Sequence, residues 1–342
     1  MYGSRRPTID DVARLAKVHK GTVSRALNES TRHHVSTTTV ERVEEAAATL
    51  GYVANAMARG LRTSSSMTIG VVIPDLTNPF FPPIVRGIET YLQPRGYTVL
   101  LADTDDSGDV ERAVLASLLG RRVDGLIIAS GVKHHQSALA DAFAAGVKAI
   151  MVNRDGGSVP YPLVTGDDAS GIFEAVAHLS ALGHRDLIHI TGPSDLSTSA
   201  TRSAAFVEAC RSAGASRATV LETEGLTVAA GQKAMDAIVA GGKPYPTAVV
   251  AGNDLIALGV LRSLRAHGLS CPGDISVVGF NDITFAEDFW PPLTTVSVPT
   301  QLMGSEAARL LLDAIAAGTQ EPTKTLLPTR FVVRGSTGPA PR

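Results

Sequence analysis

The chain has 342 residues, of which 44% are hydrophobic and 19% charged, and its formal net charge is −2. This length exceeds one typical domain and predicts two or three. No apolar run is long enough to span a membrane, and the opening residues MYGSRRPTID lack the apolar stretch of a secretory signal. With only Cys210 and Cys271, a disulfide framework is not favoured and a reducing cytoplasm fits.

The net charge is unevenly distributed along the chain. Residues 1–65 contain ten Lys or Arg and six Asp or Glu, a net of +4, and the remainder carries −6. A basic N-terminal segment on an acidic body is what attraction to nucleic-acid phosphates requires. Segregated surface charge without a function is the alternative.

The first predicted helix begins after Thr8, where Asp11 stands at the third helical position and completes a capping-box pattern. A second helical pattern resumes in GTVSRALN after the short break KVHK. Because the intervening turn is too short for independent helices, the two are expected to cross as a helix-turn-helix. The predicted core positions of this pair are Ile9, Val12, Ala13, Leu15, Ala16, Val23, Ala26 and Leu27.

A third predicted helix begins after Ser36 and ends at Gly51. Its apolar face consists of Val40, Val43, Ala46, Ala47 and Leu50. Three helices of this size can enclose one small core.

Polar side chains remain on the outer face of the second helix, namely Lys20, Thr22, Ser24 and Arg25. Arg25 can make a bidentate contact to guanine, whereas Thr22 and Ser24 can bond to phosphates. A helical hairpin with a solvated polar face has the same spacing, so spacing alone leaves both interpretations open.

The order TIDDVARLA, TVSRALN, VS and ERVEEAAATLGYVANAMARGLRT resembles the DNA-binding head of the lactose-repressor (LacI) family of bacterial transcription regulators. The resemblance implies a DNA-binding unit over residues 1–62, with TVSRALN as recognition helix and a hinge helix at 55–62. In that family the hinge helix orders on the operator and inserts a leucine, here Leu61, into the minor groove. The residues that the resemblance places on DNA are Thr8, Lys20, Gly21, Thr22, Ser24, Arg25, Asn28, Asn55, Ala58 and Leu61.

Four positions depart from the family pattern. Lys17 replaces a turn glycine and is expected to adopt a left-handed backbone. His19 replaces the serine that caps the recognition helix, which is a weaker cap. Gly21 leaves a base-reading position without a side chain, and Ala54 stands where proline is usual. These changes bear on operator sequence and affinity more than on DNA binding itself.

Beyond the polar stretch 62–66, strand-like runs alternate with amphipathic helical segments. The predicted strands are TIGVVIP, YTVLLAD, DGLIIAS, VKAIMVN, DLIHITG, TAVVAGN and DISVVGF, and the predicted helices include 110–120, 170–182, 200–213, 229–240 and 254–267. This alternation predicts parallel sheets covered by helices on both faces. Two doubly wound lobes fit the length better than one, with ligands at the carboxyl ends of the strands and a cleft between the lobes.

The resemblance to the LacI family continues through IGVVIPDLTNPFF, AGNDLIALG, DISVVGFND and PPLTTV. It implies the fold of periplasmic sugar-binding proteins over residues 67–336, with the chain crossing between lobes three times. The expected N-lobe is 67–165 and 296–327, and the expected C-lobe is 166–295 and 328–336. The expected fold class is therefore an all-α three-helix helix-turn-helix head plus hinge helix, joined to an α/β two-lobe core of parallel doubly wound sheets.

A carbohydrate effector needs polar partners for its hydroxyls and an aromatic face for its C–H surface. The residues that the strand ends and the resemblance offer are Asn78, Phe80, Phe81, Asn153, Arg154, Arg202, Leu226, Asn253 and Asn281. Arg202 matches the family position that grips effector hydroxyls. Asn281 stands where the family often has Asp, and Leu226 where some sugar-binding members carry an aromatic residue.

Structural interpretations stand beside several of these assignments. Phe80 and Phe81 also fit a core position, and Asn253 and Asp254 also fit a helix cap. His184 fits a structural link after a helix, and Pro82 and Pro83 fit only the first turn of a helix. The pairs His33–His34 and His134–His135 lack the further ligands of a metal site.

The sequence contains no Walker-type phosphate loop, no dinucleotide-binding glycine fingerprint and no nucleophile elbow, so an enzyme is not predicted. An exported sugar-binding protein would need a signal segment, and a constitutive nucleoid protein would not need a ligand cleft. The prediction is a cytoplasmic, nucleoid-associated bacterial repressor that needs no cofactor. It is expected to bind operator DNA as a homodimer, with a tetramer left open, under control of a small-molecule effector. The effector is expected to be a sugar or sugar derivative, with nucleobases as an alternative.

Overall fold

A computed structural model of the chain describes residues 7–28, 31–52, 65–131 and 137–341. These residues fall into two compact units, Met1–Ser66 and Met67–Arg342, called the head and the body below. The predicted hinge helix, with Asn55, Ala58 and Leu61, lies outside the described residues, and so do Ala54 and the pair His134–His135.

The head contains helices α1 (Ile9–Leu15), α2 (Lys20–Ala26) and α3 (Thr37–Leu50), with a 3-10 turn at Arg32–His34. The predicted capping box is confirmed, because the Asp11 carboxylate accepts hydrogen bonds from the Thr8 amide at 2.9 Å and hydroxyl at 2.6 Å. Lys17 adopts the predicted left-handed backbone, with φ of 53°. Gly51, with φ of 62°, ends α3 as predicted.

One small core holds the three helices of the head together. Val12, Val23 and Val43 are fully buried in it, and alanines from all three helices fill the space between them. Placing Leu15 in this core was wrong, because the side chain is 49% exposed. At 100° per residue, position 15 lies 60° from Val12 but 100° from Ala16 and 160° from Ala13, so it falls at the edge of the buried face.

The first sheet of the body is parallel and has six strands in the order β11-β5-β4-β3-β1-β2. Their bounds are β1 Thr68–Ile73, β2 Thr98–Asp103, β3 Gly125–Ile128, β4 Ala149–Val152, β5 Leu163–Gly166 and β11 Lys324–Leu327. Helices α4 (Phe81–Leu92) and α11 (Thr300–Ala317) cover one face, and α5 (Gly108–Gly120) and α6 (Ser137–Ala144) cover the other.

Along β1, side chains alternate between these two faces. Ile69 and Ile73 pack in the core that includes α4 and α11, whereas Val72 packs in the opposite core. Helices α4 and α11 approach so closely that a Cβ on Gly87 would collide with the Gln301 carbonyl, and a Cβ on Gly304 with that of Ile84. The predicted covering of a parallel sheet on both faces is confirmed.

The second sheet has four parallel strands in the order β7-β6-β8-β9. The strands are β6 Asp186–Thr191, β7 Arg217–Glu222, β8 Ala248–Ala251 and β9 Ser276–Val278. The helices that pack with it are α7 (Asp168–Ala181), α8 (Ser197–Ser212), α9 (Val228–Ala240) and α10 (Asp254–Ala266).

A short antiparallel pair, β10 (Thr295–Ser297) and β12 (Arg330–Val332), continues from β9 through bridges at Thr294 and Ser297. Because β11 between them returns to the first sheet, the chain passes between the two sheets three times. The seven predicted strands are present. The strands β5, β7, β10, β11 and β12 were not predicted.

Candidate DNA-binding helix and ligand cleft

Helix α2 presents its polar side chains to solvent because its apolar ones are used in the head core. Val23 and Ala26 are buried, whereas Lys20 and Arg25 are exposed and Thr22 and Ser24 are half-buried. The predicted outer face of the helix therefore exists. It combines two cations with two hydroxyls, which suits the phosphates and base edges of a major groove.

Arg25 is held along the helix by its own backbone. Its Nε donates to the Gly21 carbonyl at 3.2 Å, and no described residue accepts a hydrogen bond from its Nη groups. A Cβ at Gly21 would lie 3.2 Å from His19 Nδ1 and 4.0 Å from one Arg25 Nη atom, so a side chain there would crowd the His19 ring more than the guanidinium. The Arg25 Nη groups, whose N–H donors would bond to a guanine, are therefore available at the surface.

The N-terminus of α2 is capped by an imidazole. His19 Nδ1 accepts a hydrogen bond from the Gly21 amide at 3.1 Å. The departure at this position therefore keeps a cap, although the acceptor is a ring nitrogen rather than a hydroxyl. Thr8 lies at the N-terminus of α1, and the Asn28 carbonyl receives the amides of Thr31 and Arg32 after α2.

In the body, Arg202 lies on the buried face of α8, among Ala205, Phe206 and Ala209. Its Nε donates to Asp168 Oδ2 at 2.8 Å and its Nη1 to the Gly252 carbonyl at 2.6 Å. The Cζ atom lies 3.8 Å from the centroid of the Phe280 ring. Burial raises the pKa of the Asp168 carboxyl, and the adjacent Arg202 guanidinium is the largest influence that opposes this rise.

Leu226 and Asn253 lie close to Arg202. Asn253 directly follows Gly252, whose carbonyl accepts from Arg202, and Asn253 in turn contacts Leu226. The Asn253 side chain caps α10 by accepting from the Ile256 amide at 2.8 Å, and it donates to the Leu226 carbonyl at 3.0 Å. A Cβ at Gly192 would lie 2.7 Å from the Leu226 Cγ and 3.1 Å from the Ser199 Oγ. Arg202, Leu226 and Asn253 therefore form one group at the carboxyl ends of β6 and β8.

Asn153 and Asn281 are two buried asparagines with strained backbone. Their φ angles are 67° and 116°, in a region that favours glycine, and each is only 8% exposed. Asn153 follows β4, and Asn281 follows β9 directly after Phe280. Such strain is maintained by the surrounding structure and is typical of functional positions.

Arg154 follows β4 and is 3% exposed. Its Nη1 donates to Asp106 Oδ1 at 2.7 Å and to the Ser130 carbonyl at 3.0 Å.

The remaining predicted residues, Asn78, Phe80 and Phe81, lie at the N-terminus of α4. Asn78 Oδ1 accepts from the Phe80 amide at 3.1 Å. Phe80 and Phe81 are buried in the core, with their rings in edge-to-face contact. The two phenylalanines thus fill core positions.

Buried polar atoms that lack a hydrogen-bond partner among the described residues gather at the strand ends. Thr191 Oγ1 is at the last residue of β6, and the atoms that follow β3, β4, β6 or β9 are Ser130 Oγ, Arg154 Nε, Asp195 Oδ1, Ser199 Oγ and Asn281 Oδ1, whereas His189 Nε2 lies within β6. Buried polar groups are rarely left unpaired, because each costs about 1–3 kcal/mol. This set is therefore a ready-made surface for a ligand with many hydroxyls.

A cavity of about 100 Å³ lies between residues of the first sheet and the helices α7 and α8. Asn153 and Thr165 line it from the first sheet, and Asp168 and Thr198 from the helices. The two sides also touch directly, since the Asp155 amide donates to Ser197 Oγ at 3.0 Å. Asn153 is thus placed on the cavity wall, and Arg202 is linked to the wall through Asp168.

Asp168 is the main residue that sequence reasoning missed. It follows β5 in GDDASG, where two aspartates before a helix are explained by capping, and Asp167 does cap α7. The available signal was Arg202 itself. An arginine among alanines on a buried helix face requires a counter-charge, and an aspartate at the start of a neighbouring helix could provide it.

Within the described ranges, no group of three or more His, Cys, Asp or Glu side chains could hold a metal ion. The sequence predicted that His184 is a structural link after a helix. Its ring is hydrogen-bonded through Nδ1 to Thr247 Oγ1 and through Nε2 to the Gly338 carbonyl, both at 3.0 Å, as such a link requires. Across the same part of the chain, no helix combines the length and apolarity needed to cross a membrane.

Family models match both units of the chain. Residues 8–55 match the bacterial regulatory proteins of the lacI family, and residues 176–337 match a periplasmic binding protein-like domain. The HTH-type transcriptional regulator CelR of Thermobifida fusca is 38% identical, with 98% of this chain and 100% of CelR covered. The chain belongs to the lacI family.

Two solved structures extend this relationship to three dimensions. A lac repressor dimer bound to operator and the anti-inducer ONPF superposes with a TM-score of 0.87 at 29% identity, covering 98% of this chain and 100% of that one. A complex of CelR with cellobiose gives a TM-score of 0.73 at 35% identity, covering 97% of this chain and 100% of that one. This lacI-family chain is a DNA-binding transcription regulator and not an enzyme.

Proposed function

We propose that the chain is a homodimeric repressor whose affinity for an operator is controlled by a sugar or sugar derivative bound in the body. The observation that carries the proposal is one chain that combines an exposed cationic helix-turn-helix face with buried, unpartnered polar atoms at strand ends. The first suits a duplex groove, and the second suits a polyhydroxyl ligand. The solved relatives support both parts, since one is a dimer on operator and another holds cellobiose.

The assigned DNA contacts are the side chains of α2, with Arg25 reading a base and Thr22 and Ser24 positioning the helix on phosphates. The hinge at 55–62 would add Asn55, Ala58 and Leu61 to the minor groove. The domain boundaries that we propose are those predicted from the sequence. They are 1–62 for the head, 67–165 and 296–327 for the N-lobe, and 166–295 and 328–336 for the C-lobe. Since operator DNA is the partner, we place the protein in the bacterial cytoplasm, in association with the nucleoid.

The proposed effector site comprises the cluster around Arg202 together with Asn153 and Asn281. The cavity of about 100 Å³ is smaller than the roughly 300–1,000 Å³ of ordinary ligand sites. A sugar can therefore enter only if the two sides of the cleft move apart. That movement would change the distance between the two hinges of a dimer and so alter its affinity for operator DNA.

The DNA-reading part is tested by Arg25→Ala, measured by fluorescence anisotropy at fixed salt on an operator selected from random duplexes. We expect a loss of about 1–3 kcal/mol, roughly 5- to 150-fold, on the selected sequence and a much smaller loss on scrambled DNA. Arg14→Ala is the matched control, because Arg14 is an exposed cation on α1, paired with Asp11. Equal losses for both variants on both duplexes would refute the assignment of Arg25.

A further inference from the structure

Arg202 and Asp168 form a buried ion pair inside the proposed effector site. Their side chains are each 5% exposed, and the Nε–Oδ2 distance is 2.8 Å. Asp168 lines the cavity directly, at the first position of α7, while Arg202 projects from α8. The chain therefore supplies its own anion to the arginine before any ligand arrives.

The other arginines near these strand ends are also paired with carboxylates. Arg154 bonds to Asp106 at 2.7 Å, and Arg334 bonds to Asp282, next to Asn281, at 2.8 Å. Among the described residues that line the cavity, the charged groups are three aspartates, Asp155, Asp167 and Asp168, and one lysine, Lys324. The electrostatic environment of the cleft is thus neutral to acidic.

We propose that Asp168 is a specificity-determining residue that restricts the cleft to uncharged, hydroxyl-bearing ligands and excludes phosphorylated or carboxylated ones. The inference rests on the proposed function, namely that this cleft binds a small molecule. It adds a selection rule that depends on one carboxylate.

The physical basis is that an anionic ligand would find its natural partner already occupied. A phosphate or carboxylate would have to displace Asp168 from Arg202, or remain unpaired beside it in a poorly solvated site, and both are costly. A neutral hydroxyl avoids this cost. Two of the five guanidinium N–H donors are used by Asp168 and Gly252, which leaves others for hydroxyl oxygens.

Unpartnered groups close to the pair complete the recognition of a neutral ligand. Ser199 lies one turn before Arg202 on α8, and its Oγ, like Asn281 Oδ1, has no described partner. Asn281 Oδ1 can only accept, so it suits a hydroxyl and would repel an anionic oxygen. Exclusion by an unsatisfied charge, together with attraction of hydroxyls, is how specific sites discriminate between similar ligands.

The chain offers a matched control for this role. Asp167 is adjacent, lines the same cavity and carries the same charge, but its carboxylate accepts from the Ser170 amide and hydroxyl instead of touching Arg202. Asp167→Asn and Asp168→Asn each remove one negative charge from the cavity wall. Only the second leaves the buried guanidinium without its anion.

The experiment compares matched pairs of probes by calorimetric titration at constant ionic strength. The pairs are glucose with glucose 6-phosphate, glucose with glucuronate, and galactose with galacturonate, and neutral cellobiose is titrated with and without inorganic phosphate. In the wild-type chain we expect the neutral member to bind at least about ten-fold more tightly, and inorganic phosphate not to compete. D168N should reduce the preference to within about three-fold or reverse it, whereas D167N should keep it.

The wild-type comparison needs no variant, so it can overturn the proposal even if D168N fails to fold. Tighter binding of the anionic member, competition by inorganic phosphate, or the same preference in D168N and D167N would overturn the role of Asp168. An anion preference would leave the proposed function intact. No binding of any probe, together with an operator affinity that none of them alters, would overturn both.

Discussion

Arg25 in the head and Arg202 in the body carry the same guanidinium group in opposite settings. Arg25 is exposed and donates a hydrogen bond to the backbone of its own helix. Arg202 is buried, donates hydrogen bonds to a carboxylate and a carbonyl, and contacts the face of an aromatic ring. The surface arginine is available to any phosphate or guanine that approaches. The buried arginine is preorganised and neutralised, so it can select among ligands by geometry.

The same contrast extends to stability. Removing a surface side chain that touches only its own helix changes folding free energy by less than about 0.5 kcal/mol. Removing one partner of a buried ion pair leaves the other charge unpaired in a poor solvent. The following predictions test this contrast, beginning with the largest effect.

Arg202→Met should lower the free energy of unfolding by about 3–5 kcal/mol, because Asp168 would remain buried without its cation. The measurement is urea denaturation of the full chain at pH 7. Arg25→Met in the head is the matched comparison and should change this value by less than about 0.5 kcal/mol.

A double variant separates the pair from its members. R202M combined with D168N removes both charges and should lose less stability than the two single variants added together. Strict additivity would show that Arg202 and Asp168 do not interact, which would contradict the geometry described above.

His189 should make the stability of the body depend on pH. The ring is fully buried, and burial lowers the pKa of its imidazole to about 4, against an ordinary 6.5. The unfolded chain therefore binds a proton between these values and the folded chain does not. This contribution is present above about pH 6.5 and is lost as the pH falls towards 4, by about 3 kcal/mol.

His189→Asn tests this, because an amide can still donate to the Val250 carbonyl, which His189 Nδ1 contacts at 2.8 Å, but does not titrate. The difference in unfolding free energy between wild type and H189N, measured at pH 7.5 and pH 4, should change by about 3 kcal/mol. Titration of all other groups cancels in that difference. Parallel curves would exclude His189 as the source.

The smallest effect belongs to the turn of the head. Lys17 holds φ of 53°, so Lys17→Gly should stabilise the head by about 1 kcal/mol by relieving the Cβ clash. Hydrogen exchange of amides in α1–α3 of the full chain is the measurement. Ala48→Gly, on the exposed side of the last turn of α3, should instead destabilise the helix, by up to about 1 kcal/mol. A loss of protection in K17G would mean that the left-handed turn is not strained.

The elements that the sequence predicted well are those whose pattern is local. The spacing of apolar residues predicted the three head helices and seven of the twelve described strands. The Lys17 backbone was predicted from the resemblance to the family, in which glycine usually occupies that turn. Strand β7 was missed because it is an edge strand whose side chains are almost all exposed, so it shows no apolar run. Leu15 was misplaced because its spacing from Val12 fits the apolar stripe, although it lies at the edge of the face that is buried.

In the candidate site, the strand-end residues could be predicted because parallel strands bring their carboxyl ends together. Their partners could not. Asp168 and Arg202 are 34 residues apart, and Asp106 and Arg154 are 48 apart, so only tertiary packing reveals that these charges meet. The same holds for Phe80 and Phe81, which fit a site and a core equally by type and lie in the core.

The most direct test of the account is calorimetric titration of an effector found by thermal-shift screening, into the free protein and into the protein saturated with operator. Because coupling between two sites is reciprocal, operator should change effector affinity by the same factor by which effector changes operator affinity. We predict a factor of about 5–150, in line with ordinary coupling energies of 1–3 kcal/mol. Identical effector affinity with and without operator would show that ligand binding in the body does not control DNA binding by the head.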